Sequence, residues 1–551
     1  MAVFVELPPP GENASVKWQE ALQNALRTGD NKICFHPGRY DFYPGGCTKK
    51  FLHFSNNDKG EKTIALHLNG LKDFTIEGSG TELFFHGRIS PIIAENCENL
   101  HIRNLSIDFE DSFVSGAEVK EFSDNTSWMA FSGTQRFSDG KIIFCGDRFD
   151  NLSGELHIRP FNPNSGEMPW DTDVTVVKNK DLKEKDGLFG LPGKMPAKHV
   201  LIKHEDRLCP GIVLSFCSGV RVVNCTIYHA AGMGLLAQFC SNVTYDGISI
   251  IPRNRYVSAS DDAMHMVECR GKLLVVNCTC AGTLDDSLNV HGIYRPTAAA
   301  EGENRLYLDT GHFQQAGFPG ALPGDTLEFV KSATGRAYAL GKVLSVGQLD
   351  ENRTCVELEQ ALPADWTPGD CVRVLEPGEA VLEVANCHFT TLRGRGVLAS
   401  GLSSCSIKNC CFHTSGAAVF IAGGCTAWYE TGPVRQACIE NNVFENCCYQ
   451  RWSSTRETVS VYPDISQYPP DFYYHGKIEI RNNRFISQKR PQIAVLSTEE
   501  VCISGNDFKY NNDYPFDPPE KKVYTFAEKD SPCTIFKQVK SVNCENNNGI
   551  Y

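Results

Sequence analysis

No run of 18 or more apolar residues occurs in this 551-residue chain, so no transmembrane helix is indicated. Positive charge is not in excess either: 53 Lys and Arg stand against 66 Asp and Glu, a net charge of −13. An acidic balance of this kind argues against nucleic acid or an anionic membrane as the main partner, and it weakens the case for a polyanionic polysaccharide. Neutral sugars remain compatible. There is no CxxC pair of zinc-like spacing, although the chain has 24 cysteines. Nor is the chain short enough for those cysteines to read as a disulfide scaffold. Several of them (Cys225, Cys278, Cys387, Cys410 and Cys411) follow a recurring Asn or its neighbour, which predicts buried, reduced thiols acting as small hydrophobes. The first residues, Met1 to Pro8, lack a basic n-region and do not read as a signal peptide.

What is present is a repeat. The pattern apolar-x-Asn recurs at Asn104, Asn224, Asn277, Asn386, Asn409, Asn441 and Asn482, with Gly247 and Gly505 in the same slot. Three successive pairs (224 to 247, 386 to 409, 482 to 505) are 23 residues apart. Three short strands and three turns fill about that length, with each coil hydrogen-bonding the next ~4.8 Å away. The pattern therefore predicts an all-β fold, a right-handed parallel β-helix, rather than a leucine-rich repeat with its several fixed Leu slots.

The organisation follows from where the repeat runs and where it stops. Residues 1–60 read as a cap helix (Trp18, Ala21, Leu22, Ala25 and Leu26 at helical spacing over 16–27) with the first strands. Residues 61–110 begin the β-helix, and 111–210 form an insertion with its own β segments. The β-helix then resumes over 211–294 with the acidic coils. Residues 295–380 read as an inserted β-barrel-like module, and 381–551 as the C-terminal coils and a loop-rich tail carrying Pro515, Pro518 and Pro519.

Two acidic pairs stand out: Asp261-Asp262 with His265 close behind, and Asp285-Asp286 followed by Asn289 and His291. The coil from Gly247 to Asn277 is seven residues longer than 23. If the extra seven lie in 251–257, Asp262 falls directly under Asp285, with Gly232, Gly394 and Ala417 in the same slot of other coils. Aspartates also shape turns routinely. Two pairs in register, with histidines beside them, instead point to a site, because stacked carboxylates repel and raise one pKa to leave an acid beside a base. Calcium is a competing use of oxygen ligands, but no regular Asp/Asn loop repeats, so no metal is expected. Arg393 and Arg395 flank the Gly394 slot and are candidates to bind a hydroxyl or tune a carboxylate. Trp428 offers a ring face for a sugar, and Glu430 a ligand beside it.

The segments Asp261-Asp262-Ala263-x-His265, Leu284 to Tyr294, and Trp428-Tyr429-Glu430-x-Gly432 resemble glycoside hydrolase family 110, over residues 20 to 510. Those enzymes are exo-acting α-galactosidases on α-1,3-linked galactose, including the blood-group B determinant. The acidic arrangement is also similar to that of family 28 polygalacturonases. The resemblance implies inversion of configuration, with Asp285 as the general acid and Asp262 and Asp286 positioning the water. It implies no cofactor. The partner is then a galactose-terminated oligosaccharide or glycoconjugate, with no nucleic acid and no membrane insertion; a homo-oligomer is left open. Asp261, His265, Asn289, His291, Arg393, Arg395, Trp428 and Glu430 are the expected substrate-binding set. A bacterial enzyme, secreted, periplasmic or at the cell surface with its leader removed, is expected, with the cytoplasm as alternative. The rival readings are another β-helical polysaccharide-active enzyme (a polygalacturonase-like hydrolase, or a lyase or epimerase on uronic acids) and a non-catalytic glycan-binding β-helix.

Overall fold

The computed structural model describes residues 2–550 except 170–171, 205–206, 451–456 and 515–531. Pro515, Pro518 and Pro519 of the expected tail thus lie outside the described residues. The recurring Asn has a backbone cause. Asn104, Asn224, Asn277, Asn386, Asn409, Asn441 and Asn482 all have φ between 50° and 60°, the left-handed bend that turns one strand into the next. Asn tolerates that conformation better than other residues with a side chain, and Gly, with no Cβ, tolerates it best. At Gly247 a Cβ would lie 2.4 Å from Oδ1 of Asn224, one coil away, so a side chain there would have to displace that amide.

Strands from successive coils pair in parallel. On the side that carries the acidic pairs, Leu235–Gln238, Met264–Val267, Leu288–Ile293, Val397–Ala399, Val419–Ile421 and Val459–Val461 stack one on the next. Their inward residues join one continuous apolar core that runs from Val3 to Cys533. The architecture is a parallel β-helix with inserted β modules. A helix, Ser15–Thr28, covers the first open edge with Trp18, Ala21 and Ala25 buried. Leu26, placed on the apolar face by its spacing, is exposed instead.

The slot after the left-handed Asn is a ladder of buried polar atoms. The backbone N–H of Cys278 donates to Sγ of Cys387 at 3.5 Å, and that of Cys387 to Sγ of Cys410 at 3.4 Å. From there Asn takes over: Cys410 N–H donates to Oδ1 of Asn442, and Asn442, Asn483 and Asn506 each donate to the next Asn at 2.9 Å. Among the described residues these cysteines are free thiols, and their S–H groups donate to backbone carbonyls.

Neither insertion costs the β-helix a rung. Strand His101–Phe109 pairs directly with Arg221–Val223, across an antiparallel seven-stranded sheet that runs from Val114–Ser123 to His199–Lys203. Likewise Arg270–Val276 pairs directly with Val381–Ala385, and the chain between them forms a closed six-stranded barrel from Arg295–Glu301 to Cys371–Val374. The barrel has its own core of Leu306, Leu308, Leu327, Phe329, Val356 and Val372. It is tied to the helix by Arg270, which grips Asp325 through two hydrogen bonds of 2.8 and 3.0 Å.

Candidate active site

A cavity of about 560 Å³ opens over the acidic coils. Asp262, Asp285 and Asp286 form its floor, with one carboxylate oxygen from each lying within 4.8 Å of the other two. The register differs from the one the repeat predicts. Ala259 bridges Thr283 and Met264 pairs with Leu288, so Asp286, not Asp285, stacks over Asp262. The reason lies in the long coil. The corner between Ile250 and Ala259 holds only six of the extra residues, since Ile227 to Ala230 and Cys280 to Thr283 make the same corner on either side. The seventh is a bulge that opens between Ser241 and Val243 pairing with Arg270 and Leu273. One coil further, Leu288 pairs with Val397, which sets Arg395 above Asp286 and Gly394 above Asp285.

The stack is tightly bonded. The backbone N–H of Asp286 donates to Oδ1 of Asp262 at 3.0 Å. Arg395 donates to Asp286 twice, from its backbone N–H at 2.6 Å and from Nη1 at 3.0 Å. Asp285 is held more loosely. Arg207 Nη2 lies 3.4 Å away and Arg393 Nη1 3.9 Å, and its side chain is 21% exposed where Asp262 and Asp286 are nearly sealed.

These surroundings split the three carboxyls. Burial drives Asp262 well above the usual carboxylate range, and the charge of Asp285 adds to the shift. Burial also pushes Asp286 up to about 7, against the pull of Arg395. At Asp285 burial is outweighed by Arg393, Arg207, Arg395 and Lys203, which hold the group below its ordinary value. The cluster therefore sets an accessible carboxyl held below its ordinary value beside Asp262, held well above it, with Asp286 at about 7.

The other expected site residues fall into two sets. Asn289, Arg393, Arg395, Trp428 and Glu430 line the cavity, and the buried Oδ1 of Asn289 has no hydrogen-bond partner among the described residues. Asp261 is at the wall too, but its charge is taken up by Lys203 at 2.7 Å and Arg207 at 3.2 Å. His265 and His291 lie behind the floor, fully buried: Nδ1 of His265 is 2.6 Å from Asp262, and the two Nε2 atoms are 2.9 Å apart. They share the outward face of their strands with Asn289, opposite the core residues Met264, Met266, Leu288 and Val290, yet both are covered by neighbouring side chains, with Glu430 3.7 Å from Nε2 of His291.

Sequence reasoning missed the walls. His157, Arg159, Lys203 and Arg207 arrive from the first insertion, and Phe313 and Gln314 from a barrel loop. None of these falls in a repeat slot, so periodicity carried no signal for them. Trp428 sits against His312 of the same loop, with ring centres 4.0 Å apart.

The carboxylate spacing alone suits a cation, but the donor set does not. Both oxygens of Asp262 and of Asp286 are already engaged by protein N–H or ring-nitrogen groups, and Arg207, Arg393 and Arg395 crowd the remaining side. A hard cation needs open carboxylate oxygens and no fixed positive neighbours.

Fold and site together define a β-helical protein with a walled acid–base pocket. Comparison with known proteins narrows this. The barrel matches, over residues 305–372, the family described as GLAA-B beta-barrel domain II. The chain is 28% identical over 509 residues to alpha-1,3-galactosidase B of Bacteroides thetaiotaomicron, covering 89% of this chain and 82% of that one. To alpha-1,3-galactosidase A of Bacteroides fragilis it is 27% identical, covering 93% and 87%. To alpha-1,3-galactosidase B of Phocaeicola vulgatus it is 29% identical, covering 92% and 89%. The resemblance carried by the acidic motifs thus extends over about nine-tenths of the sequence.

Proposed function

We propose that this protein is an exo-acting glycoside hydrolase that releases terminal α-1,3-linked galactose, from blood-group B type or linear glycans, with inversion at the anomeric carbon. The observation that carries the reading is the gathering of three carboxyls within 4.8 Å on one pocket floor, walled by Arg207, Arg393 and Arg395. Similarity to relatives named for that activity supplies the substrate class.

The charge pattern favours a division of labour different from the one the resemblance implies. Asp285, ionised and the most accessible of the three, takes the proton of the attacking water. Asp262, kept neutral, protonates the departing glycosidic oxygen. Asp286, bonded to Arg395 and to Asp262, fixes the geometry between them. The nearest carboxyl oxygens are closer than the roughly 6.5–9.5 Å usual for inverting pairs, so the water enters beside the cluster, on the open Asp285 side, rather than between its members. Asn289 and Glu430 accept sugar hydroxyls, and Arg393 donates to them.

Two measurements test this. Aryl α- and β-galactosides, then the B trisaccharide against linear α-1,3-galactobiose, define the substrate; no hydrolysis of any α-galactoside sinks the reading. Proton NMR in the first minutes reads the product anomer. β-Galactose appearing first supports inversion, and α-galactose first refutes it.

A further inference from the structure

Behind the pocket floor runs a chain of hydrogen bonds whose direction is fixed by its far end. Nδ1 of His291 lies 2.7 Å from the carbonyl oxygen of Gly292. A carbonyl only accepts, so that nitrogen carries a proton. Nε2 of His291 is 2.9 Å from Nε2 of His265, and one proton must lie between them. Nδ1 of His265 is 2.6 Å from Oδ2 of Asp262, and another proton must lie there. Every arrangement that keeps all three bonds therefore places three protons on the two rings and the carboxyl. An ionised Asp262 with two neutral histidines holds only two. It would face bare nitrogen against bare nitrogen, or against the carbonyl, inside a region where all three side chains are buried.

We propose that the Gly292 carbonyl, His291 and His265 lock one extra proton onto Asp262, making the two histidines positioning residues for proton donation to the leaving group. The proton stays on the carboxyl because burial disfavours charge on either ring: His265 is pushed down to about 4, and His291 is lowered as well. The groups facing this unit oppose one another. Asp285, Asp261 and Glu430 favour retention of the proton, and Arg207 and the backbone N–H of Asp286 favour its loss. On donation the Asp262 hydroxyl turns from Nδ1 of His265 to the glycosidic oxygen, giving up that hydrogen bond, and its proton transfers as the bond to the anomeric carbon breaks, leaving Asp262 ionised. The proton collected by Asp285 from water balances it and returns to the unit when product leaves. That catalytic use rests on the galactosidase reading; the location of the proton does not.

The test is infrared spectroscopy of the substrate-free protein with carboxyl-labelled aspartate, at roughly pH 8, where Asp286, at about 7, has lost most of its proton. A protonated-carboxyl band is expected in the native protein and should vanish in Asp262→Asn. It should also vanish in His291→Leu, which removes the acceptor for His265, and persist in His291→Gln, whose amide oxygen can replace the ring nitrogen. In parallel, the alkaline limb of kcat/KM should move down by about one to two pH units in His291→Leu and stay near its native position in His291→Gln. Absence of the band in the native protein, or its survival unchanged in His291→Leu, overturns the proposal. If the Leu variant fails to fold, nitrogen-15 shifts of the native histidines decide: a proton missing from Nδ1 of His291 overturns it equally. A native protein that has the band but cleaves no α-galactoside refutes the function and leaves the proton assignment standing.

Discussion

Asp286 stacks on Asp262, its backbone N–H donating to that carboxylate at 3.0 Å, while Asp285 on the same bend turns to the open cavity. Neighbouring residues on one strand point to opposite faces, so a bend is needed to bring both into one site. The two members of the pair consequently have different environments, one clamped by Arg395 and one facing solvent and arginines.

That difference predicts how the three amide variants separate. Asp262→Asn, Asp285→Asn and Asp286→Asn should each lose ~10²–10⁴-fold in kcat on a natural disaccharide. With an aryl galactoside whose leaving group is acidic, Asp262→Asn should recover much of its rate, because little protonation is needed. Asp285→Asn should not, since water must still be deprotonated. Recovery in Asp285→Asn alone would restore the roles implied by the polygalacturonase likeness.

Stability should report the same proton. Asp262 has a folded-state pKa raised by burial, so the native state binds its proton more tightly than the unfolded chain. Its contribution is fully present below the unfolded value of ~3.9 and is lost as pH rises towards the folded pKa. An Asn keeps the neutral form at every pH and can donate to Nδ1 of His265. The Tm of Asp262→Asn relative to native should therefore become more favourable between roughly pH 5 and pH 8. A relative Tm that falls over this range contradicts the raised pKa.

Gly394 has φ of +121°, and a Cβ there would lie 2.1 Å from the carbonyl carbon of Asp285. Gly394→Ala should cost at least ~1–3 kcal/mol from backbone strain alone, and it should displace the Asp285 bend. Circular dichroism melting and kcat should fall together. Native-like turnover would mean that the Asp285 bend is not needed in its observed place.

Phe313 is 72% exposed at the cavity rim, on the loop against which the partly exposed Trp428 packs. Exposed rings there suit contact with the sugar on the leaving side. Phe313→Ala should raise KM for a B-type trisaccharide several-fold, with little change in kcat for an aryl galactoside. Equal losses on both substrates would place Phe313 in the framework instead.

Much of this was legible in the sequence because a solenoid writes its geometry as spacing. The left-handed Asn slot is local chemistry, and the two acidic pairs sit close together in the chain. What spacing could not supply was the bulge near Arg270, a single residue that decides whether Asp285 or Asp286 lies over Asp262. Nor could it supply Lys203 and Arg207, which reach Asp261 and Asp285 from an insertion outside the repeat. Their cationic charge adds to that of Arg393 and Arg395 in holding Asp285 below its ordinary value, so the electrostatics of the floor depend in part on residues that periodicity does not reach.

The continuity of the β-helix across both insertions has an evolutionary consequence. Because Arg270–Val276 pairs with Val381–Ala385 as though nothing intervened, the barrel can vary in length, loops or surface without disturbing the carboxylate register. The floor answers to the stacking of coils, whereas the walls answer to two modules that the stacking ignores. The register of the carboxylates and the shape of the walls are thus set by separate parts of the chain, although Lys203 and Arg207 of the first insertion still reach the floor. A lineage can therefore reshape the mouth of the cavity by remodelling a loop such as the one bearing Phe313, while the stacked carboxylates and the histidine pair stay untouched.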